Sequence, residues 1–211
     1  MTITAATPPF TAPGGWPALR ALPGATSQRI FRACLTALSR PGTITRLPAG
    51  CLPEQVPAVV APMLALTDLM TPLTGLESAD APGAREAADL VGRVTGAKYA
   101  EPGRARFALA FGESEELADL SPGSHWSPER GALLCRRVAG LSDAGAHPLR
   151  LRLTGPGVKD SAELTVAGPT PRFFELRAGL TADFPAGVDI LLVTDDGDVA
   201  GLPRTTRIEV G

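Results

Sequence analysis

Three adjacent polar residues near the end of the chain, Arg204, Thr205 and Thr206, form its most prominent candidate binding site. The guanidinium group of an arginine presents a planar fork of donors that matches a phosphate or a carboxylate. Hydroxyl groups beside it could complete the coordination of such an anion. The same residue types also suit the polar end of a hairpin or an exposed edge strand. Both interpretations therefore stay open for the segment Pro203-Arg204-Thr205-Thr206.

A serine beside a histidine, Ser124 and His125, is the pair that most resembles a nucleophile with its base. Neighbouring residues on a chain do not face each other as a hydroxyl and its base must, however. We therefore expect His125 and Trp126 to belong to a loop that packs on the body of the protein. His147 fits a plain loop position. Because the chain has only 2 histidines, a metal site would have to rely on carboxylates.

Three aspartates surround Gly197, namely Asp195, Asp196 and Asp198. Their spacing fits a hairpin turn much better than it fits a calcium-binding loop. The sequence therefore predicts a turn at this position and no metal site.

Two lysines, Lys98 and Lys159, are the candidates for a Schiff base with pyridoxal phosphate. Lys98 closes a predicted helix and Lys159 lies in the turn-like segment LTGPGVKDS at 153–161, so we expect neither to be desolvated. That segment also lacks the spacing of a phosphate-binding loop, and Pro156 removes one of the amides that such a loop would use. A tight turn is the expected structure.

The composition is typical of a globular protein and argues against two classes of partner. The chain has 211 residues, of which 44% are hydrophobic and 20% charged, and its formal net charge is -2. This balance gives no positive field for a nucleic acid or an anionic membrane surface. The 3 cysteines have no metal-ligand spacing, and the sequence shows neither a signal peptide nor a membrane span. We expect a cytoplasmic protein in a reducing compartment.

Four segments show the hydrophobic periodicity of helices. The predicted helices span residues 27–40, 57–70, 84–98 and 170–180. Ser27 is the expected N-cap of the first helix, and a Pro-Gly pair follows its end. The expected inner face of that helix consists of Phe31, Cys34, Leu35 and Leu38.

Strand signals dominate the second half of the chain. Residues 149–157 alternate leucine with arginine, the pattern of a strand with one solvent-exposed face. Residues 187–194 are apolar on both faces, as a central strand covered by helices on each side would be. Apolar runs at 105–111 and 131–138 add two more strands. The elements together predict an α/β protein, a three-layer sandwich in which helices flank a mixed sheet.

An extended arm followed by one domain is the expected organisation. Residues 1–26 combine prolines and glycines that oppose both helix and sheet. Phe10 and Trp16 in this arm are expected to pack on the body or on a partner subunit. Residues 27–211 are expected to form a single domain.

Four stretches of the chain resemble, in order and spacing, the PhnH family of the bacterial carbon-phosphorus lyase system. They are FRACLTALSRPGTI at 31–44, LRLTGPGV at 151–158, FPAGVDILLV at 184–193 and GLPRTTRIEV at 201–210. The resemblance runs from about residue 27 to the C-terminus and is weak between about 75 and 130. Because Pro203-Arg204-Thr205-Thr206 lies inside the last stretch, the resemblance favours a functional role for it.

The resemblance implies a cytoplasmic protein for the use of phosphonates as a phosphorus source. It implies a fold similar to that of pyridoxal-phosphate-dependent transferases, without the cofactor. It also implies a homodimer that assembles with PhnG, PhnI and PhnJ. Such a complex serves a step in which a phosphonate displaces adenine from ATP, so ATP and the phosphonate are candidate ligands within it. The family has no established catalytic residues to transfer to this chain.

The residues themselves agree with a subunit that depends on partners. A chain with a net charge of -2, no phosphate loop and no poised histidine or lysine is poorly equipped to bind ATP and a phosphonate unaided. We therefore expect a subunit that is not catalytic alone. Two alternatives stay open: a self-sufficient pyridoxal-phosphate enzyme, and a small-anion binding protein that acts alone through Arg204.

Overall fold

The computed structural model describes residues 15–142 and 148–211 of the chain. The described ranges contain four α-helices and nine strands, together with three short 3-10 helices. The α-helices are α1 (Gly24–Ser39), α2 (Val60–Leu66), α3 (Ala84–Thr95) and α4 (Pro171–Leu180). The strands are β1 (Ile44–Arg46), β2 (Leu73–Leu76), β3 (Phe107–Ala110), β4 (Leu133–Arg137), β5 (Leu149–Thr154), β6 (Ala162–Val166), β7 (Asp189–Val193), β8 (Asp198–Leu202) and β9 (Arg207–Val210).

Six strands form the central sheet, in the order β1-β8-β7-β4-β3-β2. Strands β2, β3, β4 and β7 run parallel to one another, whereas β8 is antiparallel to β7 and β1 is antiparallel to β8. The prediction of a mixed sheet is therefore confirmed. A second, antiparallel sheet has the order β6-β5-β9.

The two sheets and the helices form three layers. Helices α1, α2 and α3 cover one face of the central sheet, and α4 and the second sheet cover the other. The prediction of an α/β sandwich with a mixed sheet is thus confirmed, and on the second face α4 shares the layer with the antiparallel sheet. Leu151 and Leu153 of β5 are buried while Arg150 and Arg152 are exposed, so β5 directs one apolar face at the central sheet.

Strand β7 is buried on both faces, as its sequence predicts. Leu191 and Val193 contact the core on the side of α1 to α3. Ile190 and Leu192 contact the core on the side of the second sheet. Because successive side chains of a strand point to opposite faces, a strand between two cores must be apolar at every position.

Helix α1 begins almost one turn earlier than predicted. It starts at Gly24, with Pro23 at the N-cap position and no side-chain cap. The backbone N–H groups of Thr26 and Ser27 both donate to the Pro23 carbonyl, at 2.8 and 3.0 Å. Because this bonding already closes the first turn, the prediction of Ser27 as the N-cap is wrong.

The buried face of α1 also differs from the predicted one. Cys34 and Ala37 are buried, whereas Phe31 and Leu35 are 49% and 53% exposed. The helix is thus rotated about its axis relative to the prediction. Gly201 of β8 explains this rotation, because a Cβ at this position would lie 2.5 Å from the carbonyl group of Ala37. The helix backbone therefore packs directly on the sheet through two residues without large side chains, which hydrophobic periodicity does not reveal.

Helix α2 is shorter than its predicted range of 57–70. It covers only Val60–Leu66. The carboxylate of Asp68 accepts a hydrogen bond from the Met70 backbone N–H at 2.8 Å, which forms a turn in place of further helix. Leu69 and Met70 are consequently exposed, at 71% and 84%.

The described part of the predicted arm packs on the body of the protein. The Trp16 ring stacks on the Phe111 ring with 5.7 Å between centroids. Leu19 is buried beside the first core. This packing confirms one of the two expectations for Trp16, whereas Phe10 lies outside the described residues. The division at residue 26 stays a prediction, although α1 begins before it.

Candidate functional site

The segment Pro203-Arg204-Thr205-Thr206 forms a turn that connects the two sheets. The Thr206 backbone N–H donates to the Pro203 carbonyl at 2.9 Å. Strand β8, which precedes the turn, pairs with β7 and β1, and strand β9, which follows it, pairs with β5. Since β8 and β9 do not pair, the interpretation of this segment as the end of a hairpin is wrong.

Arg204 forms a tight ion pair with Asp189, the first residue of β7. Its Nη2 lies 2.6 Å from Oδ2, and its Nε lies 3.2 Å from each carboxylate oxygen. The backbone N–H of Arg204 also donates to Oδ1 at 2.7 Å, and Nη1 donates to the Pro128 carbonyl. The two side chains are 15% and 25% exposed. Arg204 thus ties the turn to the amino end of β7 and to the 3-10 helix Pro128–Arg130 that precedes β4.

Two glycines leave the space that the Arg204 side chain fills. A Cβ at Gly187 would lie 2.7 Å from the Arg204 Cβ, and a Cβ at Gly131 would lie 2.7 Å from Nη1. Gly187 has a φ of 159°, close to extended backbone, so space rather than conformation requires glycine here. The absence of side chains at Gly131 and Gly187 therefore leaves room for the Arg204 side chain beside Asp189.

Arg177 on α4 holds the turn from the opposite side, a role that sequence reasoning missed. Its Nη2 donates to the carbonyls of Pro203 and Thr206, at 2.8 and 3.0 Å. Burial lowers the pKa of Arg177 to about 10. The signal in the sequence is its spacing, since Arg177 follows Phe173 and Phe174 by four and three residues and therefore shares their inner face.

A groove of about 540 Å³ opens between α4 and the segment 203–208. We call it the basic groove, because its lining contains three arginines and no acidic residue within the described chain. It is lined by Pro156, Phe174, Arg177, Ala178, Thr181, Ala182, Phe184, Arg204, Thr205, Thr206, Arg207 and Ile208. All three residues of the predicted site border the groove, and their role in substrate binding stays a prediction.

Thr206 is buried, and its Oγ1 has no hydrogen-bond partner among the described residues. The Nε of Arg177 is likewise buried and unpaired in that part of the chain. Buried polar groups are rarely left without a partner. Both atoms are shielded from solvent by the surrounding residues, although their side chains border the groove.

Ser124 and His125 do not face each other. The Ser124 Oγ accepts a hydrogen bond from the Ser127 backbone N–H at 3.1 Å, whereas the His125 Nε2 lies 2.9 Å from an Asp183 carboxylate oxygen. Trp126 is 96% exposed, so the prediction that this loop packs its tryptophan on the body is wrong. The short loop is held by polar contacts instead, which leave the indole free of the core.

The aspartates around Gly197 form the predicted hairpin turn between β7 and β8. Asp195 pairs with Arg137, whose Nε and Nη2 donate at 2.8 and 2.6 Å. Asp198 lies 3.5 Å from Arg46 of β1. These carboxylates are therefore used for contacts between strands.

Both lysines are exposed, in agreement with the expectation that neither is desolvated. Lys159 lies in the turn between β5 and β6, as predicted, and neither lysine lines the basic groove. The other histidine, His147, lies outside the described residues.

One buried arginine lies near the carboxyl ends of the parallel strands. Arg136 of β4 is 3% exposed and donates to the Gly112 carbonyl at 2.5 Å. Its guanidinium carbon lies 4.4 Å from the centre of the Phe173 ring, and its Nη2 lies 3.8 Å from the Glu113 Oε1. Burial lowers the pKa of Arg136 to about 10. The contacts of this side chain are those of a core cation stabilised by an aromatic face.

No group of three or more metal-ligating side chains occurs within residues 15–142 and 148–211. The helices of these ranges include none that is long and apolar enough to cross a bilayer.

Comparison with known proteins identifies relatives over most of the chain. Residues 21–209 match the family model described as bacterial phosphonate metabolism protein (PhnH). The chain is 38% identical over 185 residues to a protein of Stutzerimonas stutzeri named as the C-P lyase subunit protein HtxG, with 87% of this chain and 86% of that protein covered. It is 30% identical over 192 residues to the alpha-D-ribose 1-methylphosphonate 5-triphosphate synthase subunit PhnH of Rhizobium meliloti, with 87% and 90% covered. The chain therefore belongs to the PhnH family of bacterial phosphonate metabolism proteins.

Proposed function

We propose that this chain is a subunit of the carbon-phosphorus lyase core complex. In that role it supports the transfer of a phosphonate to the ribose C1 of ATP, with release of adenine. The observation that carries the proposal is the family match over residues 21–209. Two relatives support it by name, one as a C-P lyase subunit and one as a subunit of alpha-D-ribose 1-methylphosphonate 5-triphosphate synthase.

The chain acts through its partners rather than as a catalyst on its own. Its candidate reactive groups have structural contacts: Arg204 binds Asp189, and His125 contacts Asp183. A catalyst for displacement of adenine must hold the negative charges of the triphosphate and the phosphonate and stabilise the negative charge that develops on the leaving adenine, with preorganised donors. Partner subunits would supply the donors that ATP and the phosphonate require.

Two exposed aromatic side chains support docking of another subunit of the complex. Trp126 and Phe184 are 96% and 67% exposed. The contact between His125 and Asp183, at 2.9 Å, holds the chain segments that carry these two aromatic residues next to each other. Exposed aromatic residues are the side chains that most often anchor a protein interface.

The remaining properties of the proposal follow the family. The chain works in the cytoplasm as a homodimer bound to PhnG, PhnI and PhnJ, with a fold similar to that of pyridoxal-phosphate-dependent transferases. The exposure of Lys98 and Lys159 argues against the self-sufficient pyridoxal-phosphate enzyme, since such a lysine is normally desolvated. The small-anion binding alternative is favoured by one observation, the basic groove.

Deletion of the gene in its own bacterium tests the proposal. The deletion should abolish growth on methylphosphonate as the phosphorus source and leave growth on phosphate unchanged. A plasmid copy should restore growth, and the tagged chain should purify together with PhnG, PhnI and PhnJ. Undiminished growth of the deletion strain on methylphosphonate would refute the proposal.

A further inference from the structure

We propose that the exposed face of helix α1 binds a protein partner whose contact surface combines acidic side chains with an apolar patch. The inference deepens the proposed function and rests on it for the identity of the partner, which is another subunit of the complex. We call this surface the α1 face. It consists of Phe31, Leu35, Arg29, Arg32 and Arg40.

Two large apolar side chains of α1 lie outside the core. Phe31 and Leu35 are 49% and 53% exposed. Because residues four apart are neighbours on a helix, the two side chains form one apolar patch. The opposite side of α1 is buried through Ile30, Cys34 and Ala37. Apolar side chains at this helical spacing are the anchors by which a helix packs into an apolar groove of another protein.

Three arginines add positive charge beside the apolar patch. Arg29 and Arg32 lie on α1 and Arg40 is its C-cap residue, and all three are exposed. None of them forms an ion pair with another residue of the described ranges. The α1 face therefore carries charge that the described fold does not neutralise.

The surroundings of α1 keep this charge uncompensated. All 22 aspartates and glutamates of the chain follow Pro53, so the segment that contains α1 has no acidic residue of its own. Helix α2, which packs on α1, has no charged residue. The strands under α1 contribute Asp198 of β8 and Asp189 of β7, and these pair with Arg46 and Arg204. The α1 face is thus positively charged.

Charge complementarity favours an acidic protein surface over the other occupants. A second copy in a two-fold contact would place the arginines of one α1 face against those of the other. Residues 1–14 of the chain contain no acidic side chain. A nucleic acid or an anionic bilayer would also meet the acidic remainder of a chain whose net charge is -2. A protein surface of limited area can match the α1 face alone.

The α1 face is separate from the side that carries Trp126 and Phe184. Helix α1 covers one face of the central sheet, whereas Phe184 borders the basic groove beside α4, on the other face. The two surfaces also differ in charge, because the contact at Trp126 and Phe184 is aromatic. Binding through the α1 face should therefore depend on salt, and substitutions there can be distinguished from Trp126→Ala.

Binding of the full-length chain to the purified complex of PhnG, PhnI and PhnJ, followed by biolayer interferometry, tests the inference. Arg32→Glu and Phe31→Ala should each weaken binding by about tenfold or more. Raising sodium chloride from about 50 to about 500 mM should weaken wild-type binding by at least about tenfold, and should weaken that of Arg32→Gln by a smaller factor. Urea unfolding of each variant checks that it folds.

Matched substitutions control for net charge and for the loss of apolar surface. Arg150 is exposed on β5, on the other side of the central sheet, so Arg150→Glu should bind as wild type does. Met70→Ala should also bind normally. Wild-type affinity of both Arg32→Glu and Phe31→Ala, or binding that salt does not weaken, would overturn the inference and leave the proposed function intact. Absence of binding by the wild type would refute both.

Measurements on the isolated chain test the other occupants of the α1 face. Light scattering reports its oligomeric state, and co-sedimentation reports binding to vesicles of phosphatidylcholine and phosphatidylserine. A gel shift reports binding to duplex DNA. We expect Arg32→Glu to leave all three results as in wild type. Loss of self-association, of vesicle binding or of DNA binding in this variant would overturn the inference and assign the face to that occupant.

Discussion

The guanidinium group of Arg204 holds the carboxylate of Asp189 through two donors, with Nη2 2.6 Å from Oδ2 and Nε 3.2 Å from each carboxylate oxygen. Asp189 begins β7, and Arg204 follows the end of β8. The pair therefore fixes the turn 203–206 against the central sheet at the amino end of β7. An arginine that the sequence offers as a ligand-binding group is thus also a structural cross-link.

Removal of the charge on Asp189 should destabilise the protein. Asp189→Asn leaves the largely buried Arg204 cation without its carboxylate, so the free energy of unfolding should fall by about 2–3 kcal/mol. Urea unfolding followed by circular dichroism measures the change. The same substitution at the exposed pair of Asp89 and Arg93, Asp89→Asn, should cost less than about 0.5 kcal/mol. Equal losses in the two variants would contradict the structural role of the pair.

Substitution of two glycines by alanine should change the free energy of unfolding in opposite directions, because a Cβ has no room at one position and open space at the other. At Gly201 a Cβ would lie 2.5 Å from the backbone of α1, so Gly201→Ala should lower the free energy of unfolding by about 1–3 kcal/mol. At Gly179, inside α4, a Cβ meets no atom within 4 Å, so Gly179→Ala should raise it by about 0.5–1 kcal/mol. Urea midpoints report both changes, and a neutral Gly201→Ala would show that α1 does not pack as described.

Stability should fall at alkaline pH through a buried thiol. Burial raises the pKa of Cys34 to about 12. The Cys34 thiol of the unfolded chain loses its proton at about pH 8.5, whereas the folded chain keeps it. The contribution of this group to the free energy of unfolding is therefore complete below that pH and is lost as the pH rises toward 12. Between pH 8 and pH 10.5, the free energy of unfolding measured in urea should decrease less for Cys34→Ala than for wild type. Ile30→Val, a buried change without an ionisable group, should leave the loss as in wild type.

Replacement of the exposed tryptophan should affect assembly and not stability. Trp126→Ala should leave the urea midpoint unchanged, because the side chain is 96% exposed. It should weaken co-purification with the other complex subunits by about tenfold or more, as the loss of an interface anchor does. Met70, which is 84% exposed, provides the control. An effect of Met70→Ala as large as that of Trp126→Ala would refute the assignment of the docking side.

The elements that sequence reasoning predicted well are those with strong local periodicity. Helices α3 and α4 lie within three residues of their predicted ranges, and β5 and β7 show their expected burial. The second sheet was missed, because β6 and β9 are short and their partner strand β5 lies far from β9 in the sequence. The rotation of α1 was missed because its closest contact joins Ala37 to Gly201, neither of which marks a hydrophobic face.

The candidate site was located by residue type and not by its contacts. Arg204, Thr205 and Thr206 stand out as polar residues with suitable chemistry, and all three border the basic groove. The partner of Arg204 is 15 residues away in β7, and the helix residue Arg177 is 26 residues from Pro203. Long-range pairs of this kind leave no local pattern, so the sequence alone does not separate a ligand-binding arginine from a positioning one.

Release of adenine from ATP in the presence of methylphosphonate tests the central claim most directly. The measurement compares the purified chain alone, the mixture of PhnG, PhnI and PhnJ, and the reconstituted complex. We predict that the chain alone releases no adenine above background and that its addition to the other subunits restores release. Adenine production by the isolated chain at the rate of the complex, or full activity of the complex without it, would contradict this account.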